Sequence, residues 1–125
     1  MKLLLILSSL FLLTVSADKC SSKESAAKVY KGKLEIKAMC MNYTIRLLEG
    51  DMDTSLIVKS WTNESTGKTY QNVFSPGNPC DLPASINEGD EFYFTIDTAA
   101  SKECIVCMAY YPKPPKSVLI KVVNK

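Results

Sequence analysis

The chain contains no histidine, and that absence removes several function classes at once. Ser-His and Cys-His nucleophilic systems lack their base. Imidazole-ligated zinc is excluded too, and an all-thiolate structural site needs four ligands, usually as two close pairs. The five cysteines supply one close pair, Cys104 and Cys107, while Cys20, Cys40 and Cys80 are widely spaced. Neither sign of charge dominates: 15 Lys and Arg stand against 13 Asp and Glu. There is no run of like charges, which argues against nucleic acid as a partner. After residue 17 no apolar stretch approaches the roughly 20 residues of a membrane helix, so no membrane span is expected. Long helical periods and internal repeats are also missing, and no cofactor is expected.

What is present begins with an export signal. Met1-Lys2, an apolar run from Leu3 to Val15, and the small residues Ser16-Ala17 read as a signal peptide over residues 1–17. Residues 18–125 then form a single secreted β domain, in an extracellular compartment where disulfides persist. Five cysteines imply two disulfides and one odd thiol. Cys20, Cys40, Cys80, Cys104 and Cys107 are read as structural, with their pairing open. The odd one leaves open a disulfide-linked dimer.

Alternation of apolar and polar residues predicts strand after strand. Leu34, Ile36, Ala38 and Cys40 fall on one face, with Lys33, Glu35, Lys37 and Met39 on the other. Tyr43 to Leu47 repeats the pattern and ends at the Glu49-Gly50-Asp51 turn. Ser55 to Trp61 and Thr69 to Phe74 flank a hairpin loop at Asn63 to Lys68. Ser75 to Cys80 is expected to leave the sheet, because Pro76 and Pro79 cannot donate to a ladder. Phe92 to Ile96, Cys104 to Tyr111 and Val118 to Val123 complete about seven strands, the count of a small barrel or sandwich. The fold class is all-β, a small disulfide-bonded OB-type barrel, with a β-sandwich as the alternative.

Residues three apart in a strand lie about 10 Å apart and face opposite ways, beyond the ~7 Å Cα separation a disulfide spans. Cys104 and Cys107 are therefore expected to bond different partners, on a strand covered on both sides. Glu88, Asp90 and Glu91 cluster at one turn and read as solvated charge. Two sequons occur, at Asn63 in the predicted loop, the better acceptor, and at Asn42 beside Cys40. Trp61 is expected to be partly buried.

In order, the early Cys20, Ala27-Lys28-Val29-Tyr30-Lys31-Gly32-Lys33-Leu34, Tyr43-Thr44-Ile45-Arg46-Leu47-Leu48-Glu49-Gly50, Val73-Phe74-Ser75-Pro76, Cys80, Gly89-Asp90-Glu91-Phe92-Tyr93-Phe94 and the late Cys104–Cys107 strand form a series. It resembles the netrin-like domain of tissue inhibitors of metalloproteinases, netrins and complement C-terminal modules. The resemblance implies an OB-type barrel in which Cys20 ties the N-terminal segment to Cys80 or to the Cys104–Cys107 strand. Inhibitors of that family chelate zinc through an N-terminal cysteine amine, whereas Asp18 and Lys19 precede Cys20 here. Val29 to Leu34, Asp51-Met52-Asp53 and the Thr62 to Gly67 hairpin also look like transthyretin-like secreted proteins, a sandwich carrier. That reading places an apolar ligand among Phe74, Phe92, Phe94 and Tyr110. The chain is read as a binding protein, not an enzyme, with an extracellular protein partner. Its contact surface is expected at Cys20, Ser21, Ser22 and Lys23 with Ser75, Pro76, Gly77 and Asn78.

Overall fold

A computed structural model describes residues 28–100, 104, 107 and 110–124. The expected signal peptide, residues 1–17, and the stretch up to residue 27 lie outside the described residues. Seven strands follow one another: β1 (Tyr30–Ala38), β2 (Asn42–Glu49), β3 (Val58–Thr62), β4 (Thr69–Pro76), β5 (Glu91–Ile96), β6 (Ser117–Val118) and β7 (Ile120–Val123). Among the described residues helical backbone is confined to three short 3-10 turns, Met39–Met41, Thr54–Leu56 and Pro79–Asp81. The chain is all-β and disulfide-bonded.

Strand β1 organises the sheet because its alternation gives it one dry face. Tyr30, Gly32, Leu34 and Ile36 point inward. Outward, Lys31 approaches Glu49 and Glu91, while Glu35 approaches Lys33 and Arg46. β1 pairs antiparallel with β2 on one side and with β5 on the other. β2 pairs with β4, β4 with β3, and β5 with β7, all antiparallel. β6 lies parallel to β4 and leads through Leu119 directly into β7. The pairings therefore run in a ring, β1–β2–β4–β6/β7–β5–β1, with β3 folded onto β4 as an outer hairpin.

Leu34, Ile45, Phe74 and Phe94 lie in the core with no exposure, each side chain contributing about 1.5–3 kcal/mol by burial. Phe94 is the hub: its ring lies 5.5 Å from Tyr30, 5.7 Å from Phe74 and 5.9 Å from Phe92. Gly32 lets β1 approach this cluster, since a Cβ there would sit 2.9 Å from the Phe94 ring.

Several strand boundaries differ from expectation: β1 ends at Ala38, so Met39 and Cys40 fall in a 3-10 turn, and β3 begins only at Val58, because Ser55 and Leu56 are in the turn capped by Asp53. β4 does not stop at Phe74 but continues through Ser75 and Pro76. Its partner there is parallel: Ser75 N donates to Lys116 O and Gly77 N to Val118 O, so Pro76 occupies the position that needs no donor. The last strand is split at Leu119, whose carbonyl accepts from Asp97 N. The strand expected over Cys104 to Tyr111 is not formed by Cys104, Cys107, Tyr110 or Tyr111; its other members lie outside the described residues. Nor is that segment covered on both sides, because Cys107 and Tyr110 are exposed. Covalent bonds, not ladder pairing, hold its two cysteines.

Candidate functional site

One end of the ring is braced by both disulfides. The β1–β2 turn forces two successive non-glycine residues into the left-handed region, Cys40 at φ 63° and Met41 at φ 58°. Such backbone costs about 1–3 kcal/mol per residue and persists where its surroundings over-determine it. Here Cys40 is bonded to Cys107 across 67 residues, with Cα atoms 5.2 Å apart. Cys80, in the Pro79–Asp81 turn, is bonded to Cys104 across 24 residues, Cα to Cα 5.7 Å. The Met41 sulfur sits 3.3 Å from Cys80 Sγ and 3.7 Å from Cys104 Sγ, so the hairpin tip rests on the second disulfide. Asn42 Nδ2 donates to Met39 O at 3.0 Å and closes the turn.

This bracing presents apolar side chains to solvent. Met39 is 76% exposed, Tyr110 82% and Met41 39%. Beside them a cleft of about 410 Å³ is lined by Met41, Tyr43, Pro76, Pro79, Tyr110 and Lys113. The Tyr110 hydroxyl donates to Glu64. That carboxylate acceptor, and then its charge, holds the Tyr110 phenol above its ordinary pKa. Tyr70 is also raised, first by burial and then by the negative charges of Glu35 and Glu88. Asp53 is lowered because its carboxylate accepts the Ser55 N–H at the start of the Thr54–Leu56 turn.

The residues expected to contact a partner divide. Ser75, Pro76 and Gly77 line the cleft, and Ser75 and Asn78 also hold the returning chain. Ser75 is 3% exposed and donates through Oγ to Pro114 O. Asn78, 2% exposed, grips Ile120 at both ends: Nδ2 donates to Ile120 O at 2.8 Å and Oδ1 accepts Ile120 N at 3.0 Å. Nδ2 also reaches Asp81 Oδ2. Where Pro79 ends the chain's ability to pair, the Asn78 amide continues the pairing with its side chain. Cys20, Ser21, Ser22 and Lys23 lie outside the described residues.

The bonds Cys40–Cys107 and Cys80–Cys104 also occupy the partners that the netrin-like resemblance implies for Cys20, leaving Cys20 as the odd cysteine. The two sequon asparagines differ in exposure. Asn63 is 1% exposed, turned inward because its Oδ1 accepts Ser65 N and its carbonyl accepts the N–H groups of Thr66 and Gly67. Asn42 is the more open of the two. The acidic turn is exposed to solvent, and its carboxylates also make contacts. Glu88 accepts Lys37 N, Asp90 accepts Asn87 N, and Glu91 approaches Lys31. Phe74, Phe92 and Phe94 fill the core against one another, and Tyr110 stands apart at the surface, so these four do not form one pocket. Trp61 is half-buried.

Sequence reasoning missed Met39, Met41 and the turn that displays them. The available signal was two methionines flanking a cysteine at the end of a strand. Among the described residues, no group of three or more His, Cys, Asp or Glu side chains could hold a metal ion, and no helix is long and apolar enough to cross a membrane. No family model, no curated protein and no solved structure matches the chain.

Proposed function

We propose that this is a secreted, disulfide-stabilised binding protein that acts on an extracellular protein partner through the braced rim. The observation that carries the reading is the exposure of Met39 and Met41 on a turn that two disulfides hold in a costly conformation. Methionine and tyrosine are favoured at the cores of protein interfaces, and a rigid turn loses little entropy on binding. The ring of strand pairings supports the OB-type barrel over the sandwich, because a sandwich keeps its two sheets separate, while the disulfide pairing departs from the one the netrin-like resemblance implies. The filled core supports a partner at the surface over an apolar ligand carried inside. Asp18 and Lys19 ahead of Cys20 disfavour zinc chelation by an N-terminal cysteine amine, and the function is binding, not catalysis.

A photo-crosslinker placed at residue 39, compared with one at exposed Gly67, tests the reading in extracellular fluid. Capture of one protein from residue 39 only, abolished by competition with unlabelled wild type but not with Met39→Glu, supports it. Equal competition by Met39→Glu, with its unfolding transition unchanged, overturns the placement of the site.

A further inference from the structure

A second groove lies beside the rim, between the β3–β4 hairpin and the segment from Tyr110 to Pro115. It measures about 300 Å³ and is lined by Trp61, Glu64, Tyr110, Pro112, Lys113 and the edge residue Pro115. Trp61 is the sole tryptophan of the chain. Its ring is held from one side by Tyr70, stacked at 5.9 Å and 29°, and Tyr70 is in turn capped by Lys68 Nζ, 5.1 Å from the ring centroid. The Tyr110 ring, 82% exposed, is tethered by its hydroxyl to Glu64. An aromatic and proline floor thus carries a carboxylate acceptor and an ammonium donor at its margin.

We propose that this groove binds a neutral sugar unit of an oligosaccharide, stacked on the aromatic and proline floor and hydrogen-bonded by Glu64 and Lys113. A pyranose ring presents apolar C–H faces and a rim of hydroxyls that both donate and accept, which matches a flat apolar floor with one acceptor and one donor beside it. The two charges select against the competing occupants. Lys113 offsets the attraction that Glu64 and the aromatic rings offer a quaternary ammonium, and Glu64 offsets the attraction that Lys113 offers a sulfated or phosphorylated group, so neither charged ligand gains an unopposed partner. A neutral polyhydroxyl ligand uses both. The groove shares Tyr110 and Lys113 with the rim cleft but does not include Met39 or Met41, and it does not rest on the protein-binding reading.

Because Trp61 is the only tryptophan, its emission reports this groove directly. The full secreted chain is titrated with chitotetraose, maltotetraose and mannotetraose, with tetramethylammonium and a sulfated heparin tetrasaccharide as charged comparisons. A saturable shift with at least one neutral sugar, at a midpoint near or below about 1 mM, supports the site. It should weaken about tenfold in Tyr110→Ala and in Glu64→Gln and be unchanged in Met39→Glu. A glycoprotein carrying the same glycan should bind, and lose binding when its glycan is removed. No shift with any neutral sugar, a stronger response to either charged probe, or glycoprotein binding that survives deglycosylation overturns the proposal. Glu64→Gln keeps an acceptor for Tyr110 at an exposed position, so its result stands even should Tyr110→Ala disturb the segment.

Discussion

Replacing Asn78 by alanine should cost more stability than any loop polar residue of similar size, because its amide closes the ring. The change leaves Ile120 N–H and C=O without the partners at 3.0 and 2.8 Å that they now have. Ile120 is 3% exposed, so neither group regains water easily. An orphaned buried backbone group costs about 1–3 kcal/mol. With partial relaxation the pair should cost about 3 kcal/mol, against a total of about 5–15 kcal/mol for a domain. At about 4–8 °C per kcal/mol for a domain of this size, the melting midpoint should fall by at least about 10 °C. Asn78→Asp is the sharper variant. It keeps the acceptor for Ile120 N, loses the donor to Ile120 O, and sets a carboxylate against Asp81. Its folded-state pKa should be raised, so its deficit should shrink as pH falls through the carboxylate range and the group regains a proton to donate. Urea unfolding of wild type and both variants measures this directly. A loss below about 0.5 kcal/mol for the alanine variant, the size of an ordinary surface change, would refute the ring-closing role.

Two further outcomes follow from the same geometry. On chain entropy, removing Cys40–Cys107 with paired serines should cost about 4 kcal/mol, and removing Cys80–Cys104 about 0.9 kcal/mol less; the reverse order in denaturant unfolding would show that native packing, not loop length, sets their worth. Tyr110 should ionise above the ordinary tyrosine value near 10, and the Glu64 contact should hold below that value and be lost as pH rises through the higher folded one. Ultraviolet titration differenced against Tyr110→Phe checks this, with Glu64→Gln expected to bring the phenol down; no change on that substitution refutes the cause.

The legible parts of the fold were those where one face is dry. Leu34 and Ile36 alternate with charged neighbours over a long strand, and that pattern has no other stable home. The continuation of β4 through Pro76 was illegible because the parallel partner that permits it, β6, comes more than forty residues later. Asn63 sits in the expected loop, yet its Asx turn folds the side chain inward, a geometry that composition does not encode. At the site, proline and glycine marked Pro76 and Gly77 as a bend, and both line the cleft. Ser75 lines it too, but the hydrogen bonds that bury Ser75 and Asn78 were illegible, since only the returning chain at Pro114 and Ile120 gives their side chains partners. Met39 looked like an ordinary outward residue until the left-handed turn aimed it at solvent.

The two disulfides are nested, one loop inside the other, and this sets a condition on how the chain oxidises. Closing the inner loop of 24 residues is favoured over the outer loop of 67 by about 0.9 kcal/mol of chain entropy, so the Cys80–Cys104 bond should close before the Cys40–Cys107 bond. But Cys104 and Cys107 are three positions apart, and choosing the wrong one changes the closure cost for Cys80 by only about 0.1 kcal/mol. Random collision cannot tell the two thiols apart. The choice must be made by the strands, which set the Pro79–Asp81 turn and the Cys40 turn on their own sides of the rim. Correct oxidation is therefore a readout of a ring already assembled, and the bonds record the fold rather than direct it.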